Sequence, residues 1–268
     1  MATPLIRTYQ TRAGPMLALA TDEYITRALD LYGEYAPDEW RMLRQLICPG
    51  MTVVEIGANM GSHSVDMARA CAPGVFFAFE PQQILFQILC GNLALNNVTN
   101  AVAYPDACGE ADGEAIVPCV DYGAHGNFGG ISLRDGGGGM KVRVRPLDAL
   151  ELPACGLLKI DVEGFEPAVL RGAAGTIERC RPVIYIENDR AANQQTVIDA
   201  IAAHRYALYW HLPRLFSPDN FRGNQQDVWP GVVSLNMLCI PEEATVHIEG
   251  FTRIDPRDWT GPITLGQA

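Results

Sequence analysis

The run VVEIGANMGSHS, residues 53–64, decides how this chain is read. Val53, Val54 and Ile56 form a short apolar stretch of the kind that fills a strand buried on both faces. Gly57, Ala58, Asn59, Met60 and Gly61 then give a turn of small residues, and SHSVDMARACA continues at helical spacing. Strand, glycine turn and helix in that order are shared by cofactor loops and plain βα turns, so the stretch alone does not decide between them. A dinucleotide site requires G-x-G-x-x-G, whose second glycine lets the backbone approach a pyrophosphate. Here Asn59 occupies that position and the spacing is Gly57-x-x-x-Gly61. The loop therefore suits a nucleoside ligand that carries no pyrophosphate.

The same rhythm continues outward. GVFFAFEP is a second buried strand and QQILFQILCGNLALNN a helix that stops at Asn96-Asn97, with NAVAYPDACG as a third strand. GLLKIDVEG, RPVIYIEND, YALYWHL and VVSLNMLCIP are further strands, EPAVLRGAAGTIERC and QQTVIDAIAAH helices, and PDEWRMLRQLI a helix packed near the cofactor. Alternation of this kind predicts an α/β fold with a mostly parallel sheet and helices on both faces. In such sheets ligands bind beyond the carboxyl ends of the strands. Between Glu114 and Arg145 the rhythm breaks: AIVPCV and MKVRVRPL are strand-like and flank GNFGGISL and DGGGG, which predicts a β insertion or flap. Gly136–Gly139 lack a strand-to-helix context, so they form a loop tip rather than a phosphate cradle.

An acid at the end of the second strand, Glu80, is placed to bind a ribose diol. Glu55, before the glycine loop, can hold an ammonium group directly or through water. S-adenosylmethionine has an ammonium and a ribose but no pyrophosphate, so this set favours it over NAD. A βα turn that holds no ligand is the third reading.

LLKIDVEGFEPAVLRGA, residues 157–173, adds specificity. With VVEIGANMGSHS and FAFEP, it resembles the FkbM family of S-adenosylmethionine-dependent methyltransferases, whose most characteristic run, K-I-D-V-E-G-x-E, is reproduced by Lys159 to Glu166. The likeness extends over roughly Gly33 to Pro241. It implies a class I methyltransferase (Rossmann-like) fold and, as cofactor, S-adenosylmethionine with S-adenosylhomocysteine as product. Its usual reaction is O-methylation of a carbohydrate or specialised-metabolite hydroxyl. The expected organisation is an N-terminal cap (1–35), an FkbM-type methyltransferase domain (36–241, with the β insertion at about 114–145) and a C-terminal tail (242–268). Glu55, Gly57, Ala58, Asn59 and Gly61 are expected along the methionine and ribose, Glu80 on the ribose hydroxyls and Pro81 beside the adenosine. Asp106 and Ala107 are candidates for the adenine edge, although Asp106 could instead cap a turn. An NAD-dependent oxidoreductase and a non-catalytic S-adenosylmethionine-binding partner module are the rival functions.

Removing a proton from a sugar hydroxyl calls for a base or a metal. Asp161, at the end of the fourth strand, can hold the methionyl ammonium or face the acceptor. Glu163 and Glu166 follow on the turn into a helix, where solvated acids complement the helix dipole. Glu187 ends VIYIE and approaches the acceptor pocket, and Lys159, inside its strand, requires a carboxylate partner, for which Glu187 is the candidate. His125, on the flap beside Asn127-Phe128-Gly129, is the histidine chosen as base or acceptor contact, against solvation in a loop. His63 suits packing or capping, and His211 could join an acceptor pocket with Tyr209 and Trp210 or lie in the core. His204 and His247 belong to no pattern. Asp161, Glu163, Glu187 and His125 could converge on a divalent metal, but no contiguous ligand motif calls for one and none is expected.

The 268 residues are 48% hydrophobic, enough for one sizeable core, and the net charge of −11 with no Lys/Arg cluster disfavours a nucleic-acid partner. Eight scattered cysteines with no C-x-x-C pair read as reduced thiols. The N-terminal stretch has no signal-like apolar region, and no run approaches the roughly 20 apolar residues of a membrane span. A cytoplasmic enzyme acting on a small-molecule or saccharide acceptor, with a homo-oligomer left open, is the expectation.

Overall fold

The computed structural model describes residues 4–134, 136–245 and 249–259; His247 and the last nine residues of the expected tail lie outside them. The chain opens with a hairpin, β1 (Ile6–Thr11) and β2 (Gly14–Leu19), followed by α1 (Ile25–Leu31) and α2 (Pro37–Leu46). The alternating part runs β3 (Val53–Ile56), α3 (Ser64–Cys71), β4 (Phe76–Phe79), α4 (Gln83–Leu95) and β5 (Ala101–Tyr104). An insertion supplies β6 (Ala107–Cys108), β7 (Gly113–Pro118) and β8 (Gly139–Arg145). Then come β9 (Leu157–Ile160), α5 (Glu166–Gly172), α6 (Ala174–Cys180), β10 (Val183–Glu187), α7 (Gln194–Ala203), β11 (Tyr206–His211), β12 (Asn236–Pro241) and β13 (Arg253–Ile254).

Eight strands form the main sheet in the order β13-β11-β12-β10-β9-β3-β4-β5. β5, β4, β3, β9 and β10 are parallel, β12 runs antiparallel between β10 and β11, and β13 pairs antiparallel with β11. The central strands are apolar on both faces because helices cover both. Val53, Phe76 and Leu157 pack with α2, α3, α4 and the hairpin, whereas Val54, Leu158, Ile184 and Ile186 pack with α5 and α7. From β3 the chain order goes outward to β4 and β5 on one side and to β9 and β10 on the other, so the switch point opens at the carboxyl ends of β3 and β9.

Three elements differ from the sequence reading. The expected third strand is cut at Pro105-Asp106: β5 stays in the main sheet, but β6 leaves it to pair with β8 in a three-stranded sheet ordered β6-β8-β7. Proline has no N–H to continue a ladder. The single helix read over residues 166–180 is two, α5 and α6, broken at Ala173 where Gly172 packs tightly on the Gly109 carbonyl. The segment read as a tail supplies β13. All eight cysteines are free, and no helix among the described residues is long and apolar enough to cross a membrane.

Besides the Leu19 N–H to Met60 Sδ contact (3.4 Å), one side chain stitches the hairpin to the glycine loop. Asn92 of α4, fully buried, accepts a hydrogen bond from the Leu17 N–H (2.6 Å) and donates to the carbonyls of Leu17 (2.9 Å) and Met60 (2.7 Å). Asn92→Ala leaves these buried backbone groups unpaired and is expected to cost about 2 kcal/mol in urea denaturation. A loss below about 0.5 kcal/mol would show that the amide is not the link.

Candidate functional site

A cavity of about 590 Å³ opens at the carboxyl ends of β3, β4, β9 and β10. Its roof comes from the insertion (Asn127, Gly129–Ile131, Leu133), from residues 232–235 before β12 and from Asn236 at its start; Tyr24, Tyr35 and Glu39 close one side. The insertion is fastened over it by side chains. Gln82 Nε2 donates to the Phe128 carbonyl (2.9 Å), the Tyr122 hydroxyl donates to Gln82 Oε1 (3.1 Å), and Ser132 Oγ donates to the Glu163 carbonyl (2.6 Å).

One half is built by the glycine loop. Gly57, with φ +87°, passes so close to β9 that a Cβ there would sit 1.7 Å from the Asp161 carbonyl oxygen. Asn59 lies in the left-handed region (φ 51°), which asparagine tolerates better than most residues, and its Oδ1 accepts the Met60 N–H (2.7 Å). The Asn59 N–H donates to Glu80 Oε2 and the Gln82 N–H to Glu80 Oε1, both at 2.8 Å. Both Glu80 oxygens are thereby fixed at the cavity wall, with the residue 4% exposed. Burial raises the Glu80 carboxyl to about 7, against the pull of those two N–H groups. Ala58, Pro81, Asp106 and Ala107 also line this half, and Asp106 Oδ2 stands 2.8 Å from Arg145 Nε of β8.

Two cofactor residues sit differently from expectation. Gly61 does not line the cavity; it packs on α4, where a Cβ would meet Leu89 Cδ1 at 2.7 Å. Glu55 does line it, but its carboxylate is engaged inside the protein: Ser64 Oγ donates to Oε2, and Lys159 Nζ lies 3.5 Å from Oε1. It stands behind the loop as a support.

The other half is acidic. Lys159, 3% exposed, has Nζ 3.3 Å from Asp161 Oδ2, 3.5 Å from Glu55 and 3.6 Å from Glu39. Burial lowers its pKa, but Asp161, Glu39 and Glu55 outweigh burial and hold the ammonium charged. Its partners are therefore these three and not Glu187. Cross-strand register explains the choice, since Glu55 of β3 lies directly opposite Lys159. Asp161, Glu163 and Glu187 bring one carboxylate oxygen each within 4.8 Å of one another. Glu163 pairs with Arg190; burial and then Asp161 raise its carboxyl to about 7. Glu187 is raised well above the carboxylate range by burial, then by Asp161 and Glu163. Glu166 is buried and caps its own turn, accepting the Gly164 N–H (2.9 Å).

Neither His125 nor His211, the histidines expected near an acceptor, lines the cavity, whereas His63, expected to pack or cap, does. His125 is exposed on the outside of the insertion and does not line the cavity, so it is not placed to take a proton there. The insertion enters through Asn127 and Gly129–Ile131 instead. His211 is bound to the Tyr185 hydroxyl (2.8 Å) and, with Tyr209 and Trp210, lies off the cavity. His63 is buried between the Tyr35 carbonyl (3.1 Å) and Glu39 (3.5 Å), a packing role, and caps nothing with its side chain. Residues that sequence reasoning missed are Tyr35, Glu39, Gln82, Asp189 and Arg190. Only Asp189-Arg190, directly after a strand-end acid, carried a signal in their position.

A mostly parallel sheet with its switch point beside a glycine loop, a strand-end acid after β4 and an intact KIDVEGFE turn define a class I methyltransferase fold. The Methyltransferase FkbM domain matches residues 55–209, more than half of the chain, and the chain belongs to that family. No curated protein matches it. Among solved structures it is similar to methyltransferase FkbM from Methylobacillus flagellatus KT, at 18% identity over 71% of this chain and 43% of that one (TM-score 0.47). It thus spans less than half of that protein's length. Precorrin-6y C5,15-methyltransferase from Geobacter metallireducens GS-15 is similar at 10% identity over 76% and 87% (TM-score 0.48). M. jannaschii TYW2 in complex with AdoMet is similar at 10% over 89% and 87% (TM-score 0.46).

Proposed function

We propose that the protein is an S-adenosylmethionine-dependent O-methyltransferase acting on a hydroxyl of a carbohydrate or specialised metabolite. The observation that carries the cofactor is Glu80, whose two oxygens are aimed by the N–H groups of Asn59 and Gln82 at the cavity beside the glycine loop. That geometry receives a ribose diol, and the left-handed Asn59 leaves no pyrophosphate cradle. Bound S-adenosylmethionine supplies an electrophilic methyl on a sulfonium sulfur. The residues here do the rest. Glu80 orients the ribose; Pro81 and Ala107 flank the adenosine, with Asp106 at its edge. Asp161 faces the methionyl ammonium or the acceptor. The carboxylates of Asp161, Glu163 and Glu187 draw on the acceptor hydroxyl proton, and the fastened insertion excludes water. Family membership supports a hydroxyl acceptor, and a fold hosts many substrates, so the acceptor is the part to test first.

Titration calorimetry with S-adenosylhomocysteine and with NAD separates the readings: S-adenosylhomocysteine is expected to bind, and NAD binding in its place would overturn the proposal. Transfer of labelled methyl to a panel of sugars, polyols and phenols then tests the acceptor class, and binding without transfer to any of them would favour a non-catalytic module.

Glu80→Gln is expected to weaken S-adenosylhomocysteine about 10- to 100-fold, as the loss of charge-assisted hydrogen bonds worth about 1.5–3 kcal/mol implies. The ionised carboxylate is the form that accepts both ribose hydroxyls, and burial has raised this group to about 7. Affinity should therefore rise from pH 6 to pH 8 and level off above. A pH profile of Kd that is already flat in the unaltered protein, or that keeps its slope in Glu80→Gln, would remove Glu80 from the role.

A further inference from the structure

We infer that Asp161, Glu163 and Glu187 form a binding site for a hard divalent cation at the acceptor end of the cavity. The inference deepens the proposed function and rests on it only for the identity of the neighbouring cofactor.

The fold concentrates these acids against their electrostatic preference. Register pairs Ile160 with Ile186, so Asp161 and Glu187 are the next residues along two adjacent parallel strands. They share the sheet face of Lys159 and Tyr185, because side chains alternate with period two. Like charges placed side by side on neighbouring strands repel. Glu163 joins them from a backbone with φ +55°, a left-handed conformation that costs free energy in a residue other than glycine. Together they offer three oxygen atoms within 4.8 Å of one another, a spacing that one ion can span.

The cations already present do not satisfy the group. Lys159 is shared among Asp161, Glu55 and Glu39, and Arg190 pairs with Glu163 and Asp189. Glu187 is left over: its Oε2 is buried in the cavity wall and has no hydrogen-bond partner among the described residues. An enclosed carboxylate oxygen without a donor is costly unless something outside the chain meets it. Oxygen-only ligands select Mg²⁺, Mn²⁺ or Ca²⁺ over softer metals. An ammonium group on the acceptor is the other cation that three carboxylates could receive, but a compact set of three atoms is ion-sized, and the proposal commits to the metal.

Mn²⁺ titrated into the purified, chelator-stripped protein tests this by calorimetry and by loss of the free-ion spin-resonance signal. One site is expected in the micromolar range, displaced by excess Mg²⁺ or Ca²⁺. Glu187→Gln and Glu163→Gln should each weaken Mn²⁺ at least tenfold. Glu187→Gln should also abolish the upward shift in melting temperature that Mn²⁺ gives the unaltered chain. S-adenosylhomocysteine affinity is measured in parallel. Absence of Mn²⁺ binding at 1 mM while S-adenosylhomocysteine binds would overturn the cation site and leave the methyltransferase reading intact. Mn²⁺ affinity that is unchanged in both variants would overturn it too. Mn²⁺ binding that both variants weaken, with no S-adenosylhomocysteine binding, would support the site and sink the cofactor.

Discussion

Gly57→Ala is expected to abolish measurable S-adenosylhomocysteine binding and to destabilise the fold by about 2–5 kcal/mol. Two costs add. A residue with a Cβ at φ +87° pays about 1–2 kcal/mol for the left-handed conformation. The methyl would also lie 1.7 Å from the Asp161 carbonyl oxygen, so backbone has to move, and overpacking of that kind costs about 1–3 kcal/mol. The movement cannot be local. The Gly57 N–H donates to the Phe79 carbonyl and the Asp161 N–H to the Ile56 carbonyl, each at 2.9 Å, so this point ties β3 to β4 and to β9. Shifting it displaces Glu80 and Asp161 together, the two acids on either side of the cofactor half. A shift of about 1 Å is enough to lose most preorganised affinity. Urea denaturation and calorimetry measure the two effects. Gly113→Ala is the control, because nothing stands within 4 Å of a Cβ there, and it should change neither. Unaltered melting and affinity in Gly57→Ala would show that the close approach to β9 is not what shapes the site.

The central sheet and the cofactor loop were legible in the sequence for a physical reason. Parallel strands covered on both faces are near-continuous apolar runs, and VVEI, FFAF, LLKI and VIYI stand out as such, broken only where Glu55 meets Lys159. A glycine just after such a run marks a backbone that has to turn or approach closely, and Gly57 does both. Asn59 and Glu80 could be read because their positions follow from chain geometry alone. Partner choice could not. Lys159 was placed against Glu187, yet it meets Glu55, because the order of strands across the sheet sets β9 beside β3 and no local pattern states that order. Glu39 was missed for the same reason. An acid in the first turn of a helix ordinarily faces solvent, and here Lys159 and His63 approach it from other elements. The hairpin β1–β2 went unread within the expected cap, although Gly14, at φ +118°, closes its two-residue turn. His125 was chosen by residue type, but the insertion reaches the cavity through Asn127 and small residues, and a loop histidine has no obligation to face inward.

Lys159→Met carries the largest expected loss of stability, about 3–5 kcal/mol at pH 8, the range found when one member of a buried charge cluster is removed. The lysine is the one cation within 4 Å of both Glu55 and Asp161 among the described residues, and Glu39 has Lys159 at 3.6 Å and His63 at 3.5 Å. Methionine fills the volume of the stem but leaves Glu39 and Glu55 buried without their cation, with Asp161 beside them at the cavity edge. The sign of the pH dependence follows. Without the ammonium that lowers it, Glu55, already raised by burial, binds its proton more tightly in the folded state than in the unfolded chain. Its contribution to stability is then greatest below the unfolded carboxylate pKa and is lost as pH rises through the folded one. The deficit of Lys159→Met relative to the unaltered protein should accordingly shrink between pH 8 and pH 5. In the unaltered protein the lysine is held charged above its ordinary pKa, so its own contribution is fully present across that interval. Adding Glu55→Gln should recover part of the loss at pH 8, because the amide oxygen can still accept from Ser64 Oγ while one charge is removed. Urea denaturation at the two pH values measures both effects. A deficit below about 1 kcal/mol, or one that is equal at pH 5 and pH 8, would mean that water reaches these acids, and the picture of a dry carboxylate cluster behind the glycine loop would have to be abandoned.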